Sequence, residues 1–250
     1  MTELPGFATL LARLLDHRGL EPAELARRAD AAGAEPAAVP AGGVPDPALL
    51  RRLAPALGLD TADLFEIAAV PLPADLAPVG GMVTTSIVSV VRFGRALPAD
   101  RRAELRAFVA SLPHARQVGR IEGLPASAPA PDPSSAGNLL MRMVASRNLG
   151  WTGTAKIFHQ LTGRYWMSDA YGRIASGAQE PTPELVADFA TVLGLPAGDL
   201  AALLGMPLPS QLPRPDDAVA DAALLLRDLR RLGVEQLREA EDLARRLPAA

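Results

Sequence analysis

The side chains best equipped for chemistry in this 250-residue chain gather between positions 156 and 179. In RYWMSDAYGRIASGAQ, residues 164–179, Met167, Tyr171 and Ile174 stand at i, i+4 and i+7, the spacing of one helical face. This predicts that they point inward and leave Ser168, Asp169, Gly172, Arg173 and Ser176 outward. Arginine offers a planar fork of five donors, aspartate only acceptors, serine both, so the outward face is suited to recognising hydrogen-bonding edges. Both tryptophans and both tyrosines, Trp151, Tyr165, Trp166 and Tyr171, fall in the same neighbourhood. Tyr171 and Trp151 read as packing residues. Trp166 and Tyr165 read either as a small satellite core or as anchors for a partner.

Other chemistries have no carrier. The chain contains no cysteine, which excludes disulfides, thiolate metal sites and cysteine nucleophiles and fits a reducing compartment. His17, His114 and His159 are far apart and lack acidic partners at ligand spacing, so neither a metal nor a cofactor is expected. Glu241 and Asp242 precede Arg245 and Arg246 by four residues, the pattern of a solvated helix surface. No nucleophile-elbow, P-loop or dinucleotide glycine pattern occurs, and an enzyme is not expected.

The elements that must position residues 156–179 belong to a duplication. At an offset of 136, residues 45–73 match residues 181–209 at twelve of 29 positions without a gap. Leu49, Leu50, Leu53 and Leu57 recur as Leu185, Val186, Phe189 and Leu193, one face of an amphipathic helix. Asp46-Pro47 and Thr182-Pro183 are start signals, Gly58 and Gly194 stop signals, and Asp63 or Asp199 falls in the first turn of a following short helix. Upstream the offset is 129 and pairs LLARLLDHRGL (10–20) with LLMRMVASRNL (139–149), so the second copy carries seven extra residues. Those residues include LTGRYW, which places Arg164, Tyr165 and Trp166 at the entrance of the helix read above. Downstream, at offset 135, residues 90–113 pair more weakly with the chain from 225 onward. Between the copies GLPASAPAPDPSSAG, residues 123–137, is too rich in Pro, Ser and Ala to bury a core and predicts an extended linker.

Residues 10–69, with RGL followed by EPAELARRA and then PDPALLRRLAPALGL, resemble the phage-repressor and Cro-like helix-turn-helix family. The second copy resembles it too, and RIASGAQEPT is similar to the end of a repressor recognition helix with its exit turn. The likeness covers about 135 residues. It implies an all-α protein of two repressor-like five-helix units, each followed by a two-helix arm: 1–75, arm 76–113, linker 114–136, second unit 137–210 and arm 211–250. It also implies double-stranded DNA as partner, read in the major groove by the second unit. The residues implied are Lys156, Arg164, Ser168, Asp169, Arg173, Ser176 and Gln179, with Arg173 suited to a bidentate guanine contact and Asp169 to a cytosine amine.

Charge separates the copies. Residues 139–178 hold five basic side chains against Asp169 alone, whereas residues 10–44 hold four basic against five acidic. The first recognition segment, AEPAAVPAGGV, has no Arg, Lys, Asn, Gln, Ser or Thr and can read nothing. With a net charge of −3 and a pI near 5.7, indiscriminate polyanion binding is not expected. These features leave open a second reading, a protein-interaction or scaffold module of repurposed helix-turn-helix units.

The arms carry apolar stripes, Leu225, Leu229, Leu232, Leu237, Ala240 and Leu247, which predict burial within the chain or, preferred here, a homodimer. MVTTSIVSVVRF is rich in β-branched residues that favour a strand. Its alignment with LLLRDL predicts a helix instead. The most apolar window, GGMVTTSIVSVVRF, about a dozen residues, falls short of the roughly 20 that a membrane span needs. No membrane association is expected, and an N-terminus without a basic region points to a cytoplasmic protein.

Overall fold

A computed structural model describes residues 3–30, 44–80, 83–115, 132–209, 212 and 214–248. Among them are thirteen helices and no strand: α1 (Phe7–Arg18), α2 (Pro22–Asp30), α3 (Pro47–Ala56), α4 (Thr61–Ile67), α5 (Thr84–Arg95), α6 (Ala99–Ser111), α7 (Ala136–Ala145), α8 (Trp151–Thr162), α9 (Ser168–Ala175), α10 (Pro183–Leu193), α11 (Ala197–Leu204), α12 (Asp217–Leu229) and α13 (Val234–Arg246). The chain is all-α. From Thr84 on, the β-branched window lies in α5, where Ile87, Val88, Val90 and Val91 are buried. Burial of that face overrides the intrinsic preference for a strand. Of the described helices, none is long and apolar enough to cross a membrane. The first recognition segment, apart from Val44, and linker residues 116–131 lie outside the described residues.

The duplicated signals produce matching local structure. Asp46 caps α3 by accepting from the Ala48 N–H at 3.3 Å, and Thr182 caps α10 by accepting from the Leu185 N–H at 3.3 Å. Gly58 and Gly194 take left-handed φ values of 61° and 71°. The following Leu59 and Leu195 N–H groups close back on Ala54 O and Ala190 O, each at 2.9 Å, the glycine-stop geometry at both helix ends.

The two copies exchange helices. α1 lies along α11, and α7 lies along α4, so the first helix of each copy packs on the last helix of the other. α1 runs antiparallel to α11: Arg13 sits against Gly205 at the end of α11, and His17 against Gly198 at its start. The arms do likewise, α5 and α6 packing with α12 and α13 as a bundle. Leu225, Leu229, Leu232, Leu237 and Ala240 are buried there, and Arg102–Asp221 and Arg106–Asp228 pair across it. The stripes that motivated a homodimer are therefore covered from within the chain, which removes that reason for one. The tail of the presumed linker is also tied into the fold. Leu4 N–H donates to Ser134 O at 2.7 Å, Asp132 N–H to Ala175 O at 3.0 Å, and Ser135 caps α7 through the Asn138 N–H.

Candidate nucleic-acid interface

α9 is held from behind by an aromatic cluster. Phe158 of α8 meets Tyr171 of α9 edge-on with ring centroids 5.2 Å apart and Phe189 of α10 at 4.8 Å. Ile174 is fully buried, and Gly137 at the start of α7 lets that helix approach so closely that an added Cβ would lie 2.1 Å from Ile174 O. These contacts fix the helix that carries the predicted face. The predicted inward set holds for Tyr171 and Ile174 and fails for Met167, which is 68% exposed. Met167 is the residue before α9, with φ −64° and ψ 147°, so the helical period does not orient its side chain. Gly172, predicted outward, is buried.

Of the predicted site residues, Asp169, Arg173 and Gln179 form one unit. Arg173 Nη1 donates to Asp169 Oδ2 at 2.8 Å and Arg173 Nε to Gln179 Oε1 at 3.4 Å. Gln179 is held in turn by its own N–H, which donates to Arg173 O at 3.0 Å. Ser176 is engaged in the exit turn: its hydroxyl donates to Arg173 O and accepts from the Ala178 N–H. Ser168, half-buried, opens α9, and Lys156 is exposed on α8 without an acidic partner among the described residues. Arg164 sits before α9, as its place in the insertion predicts, and its Nε is 3.3 Å from Asp188 Oδ2 on α10. Burial pushes the Asp188 carboxyl up to about 6, with Arg164 pulling it back and Glu184 raising it further. The buried Tyr171 hydroxyl has no hydrogen-bond partner among the described residues, and burial raises its pKa. Tyr165 is 68% exposed, its ring edge-on to His159, and Trp166 packs partly buried against the core.

The basic excess of the second copy is smaller on the surface than in the sequence. Arg142 faces the other copy, its Nε donating to Glu66 Oε2 at 3.0 Å and its Nη2 to Glu66 O at 2.5 Å. Arg147 is fully buried, donating through both terminal nitrogens to Asp63 at 2.7 Å and through Nη2 to Leu193 O at 3.1 Å. Both belong to the five basic side chains of residues 139–178. A signal was nonetheless available: Arg18 and Arg147 correspond at offset 129, as do Asp63 and Asp199 at 136. Arg18 repeats the arrangement, donating to Asp199 at 2.6 and 3.0 Å and to Leu57 O at 2.6 Å. Each arginine thus takes a carbonyl from its own copy and a carboxylate from the other.

Comparison of the chain with known families, curated proteins and solved structures gives no match.

Proposed function

We propose that this chain is a cytoplasmic DNA-binding transcriptional regulator of the repressor-like helix-turn-helix kind. In this reading two repressor-like units, one containing α1 to α4 and the other α7 to α11, are each followed by a two-helix arm. α9 of the second unit enters the major groove. The observation that carries the reading is the braced Arg173. Asp169 and Gln179 each occupy one of its five N–H groups, leaving both Nη2 hydrogens and one on Nη1 for the O6 and N7 of a guanine. A guanidinium already oriented loses less side-chain entropy on binding. Lys156 and Arg164 flank it as phosphate contacts, with Ser168 in the first turn of α9.

A second reading, a protein-interaction module, is favoured by the exposed Tyr165 and Met167 beside α9 and by the inward turn of Arg142 and Arg147. Mobility-shift assays on genomic fragments at two salt concentrations separate the two. If the protein reads DNA, Arg173→Ala loses about 1–3 kcal/mol of binding and relaxes sequence preference, whereas Lys156→Ala weakens all sequences alike and lowers the salt slope by about one. If the folded protein binds no sequence selectively, the DNA reading fails.

A further inference from the structure

We infer that the DNA-binding unit is one copy of this chain, and that its target is a non-palindromic duplex carrying a single half-site. The inference rests on the DNA reading above and specifies which DNA is read.

In a symmetric dimer the same patch serves both partners, so that residue i of one touches j of the other and j touches i. This chain shows that reciprocity internally. Arg18 reaches Asp199 and Leu57 O, and Arg147 reaches Asp63 and Leu193 O. By the two offsets of the duplication, every member of the first set corresponds to a member of the second. The helix contacts repeat the rule, α1 on α11 with α7 on α4, and α5 on α13 with α12 on α6. The two copies therefore already occupy the places of two subunits. The surfaces through which the copies pair, which a symmetric dimer would use between chains, are spent on each other: the Arg147–Asp63 pair has no exposure, and Leu225, Leu229, Leu232 and Leu237 of the arms are buried.

Dimeric helix-turn-helix proteins read pseudo-palindromes because two equivalent heads face two half-sites. Here the heads are not equivalent. Residues 34–44 contain no side chain that donates to a base edge, whereas residues 168–179 present the braced Arg173. A fused pair with one literate head has no use for the second half of a palindrome, and the first copy acts as the frame that completes the core under α7 and α11.

The test is selection of the full-length protein on a random 30-base-pair duplex library, followed by native mass spectrometry of the complexes. The expected result is a motif without internal dyad symmetry, a free protein of single-chain mass and one chain per duplex. When the motif is then placed as an inverted repeat, two chains bind independently and the affinity of each stays within about twofold of the single site. A dimeric reader would instead gain about 100-fold or more from the second half-site. A palindromic motif, or a two-chain complex that forms cooperatively, overturns this inference while leaving the DNA reading intact. Absence of any enriched motif with a folded protein refutes the DNA reading, and the inference with it.

Discussion

The two arginine–aspartate pairs that join the copies have the same residue types and the same register, yet they sit in different media. Arg147 and Asp63 are both fully buried. The side chains of Arg18 and Asp199 are 24% and 7% exposed, and His17, nearly half exposed, lies 3.9 Å from the same carboxylate. On the buried side, Asp60 caps α4 and also takes Arg230 at 2.8 Å. Burial opposes the Asp60 charge, but Arg230, Arg147 and Arg227 together hold its carboxyl below the usual range. The corresponding residue in the other copy is Pro196, which holds no such network. Duplication thus preserved a joint while the surroundings of its two halves diverged, one becoming a dry structural lock and the other a half-wet contact.

The most severe perturbation of both joints is a cut of the chain within residues 116–131. Chains 1–122 and 123–250 would each leave one member of both ion pairs without its partner and strip the cover from α1, α4, α7 and α11. Each half alone is expected to lack cooperative unfolding, and mixing the halves is expected to restore helicity and a single-chain-sized complex. Circular dichroism with size-exclusion chromatography checks this. A half that unfolds cooperatively by itself would mean that the exchanged helices are not needed.

Single substitutions sharpen the contrast. Burial pushes the Asp63 carboxyl up while the facing Arg147 guanidinium pulls it back, so removing the arginine strands a buried acid. Arg147→Ala is expected to cost about 3–5 kcal/mol, and Arg147→Met with Asp63→Leu to recover most of the loss. Arg18→Ala, with water at hand, is expected to cost about 1 kcal/mol. Urea unfolding of the three variants measures both. Equal losses at the two arginines would show that exposure does not separate the pairs.

The sequence made the helix ends readable because they rest on local chemistry: Asp46-Pro47, Thr182-Pro183, Gly58 and Gly194 act within one turn of themselves. The arm stripes were legible for the same reason, though their partner was not, since a leucine stripe is equally satisfied by its own chain or a second one. Arg142 and Arg147 were misread because an isolated arginine is ordinarily solvated, and burial of one depends on a carboxylate 76 or 84 residues away. Of the candidate site, the Asp169–Arg173 spacing was visible as i, i+4, whereas the closure by Gln179 depends on the exit turn. Met167 failed because the helical count was begun one residue before the helix.

The smallest expected effect concerns the charge beside α9. Where the second copy has Asp188, the first has Arg52 at the corresponding position, so this acid belongs to one copy alone. Burial raises its carboxyl from the ordinary 3.8 to about 6 despite the Arg164 guanidinium 3.3 Å away. The folded protein thus binds this proton more tightly than the unfolded chain does. Ionising Asp188 then costs stability: the cost is absent below about pH 4, grows as pH rises from 3.8 to 6, and is complete above about 6. Asp188→Asn keeps the shape and removes the charge, and with the shift, which already includes the pull of Arg164, discounted for solvent screening, it is expected to raise stability at pH 7 by about 1 kcal/mol. The gain is expected to fade as pH falls toward 4, where the parent acid is itself neutral. Urea midpoints of parent and variant from pH 4 to 8 provide the measurement. A variant less stable than the parent at pH 7 would show that the pair with Arg164 outweighs burial, and would place that arginine in the frame of the fold, no longer free to leave for a phosphate.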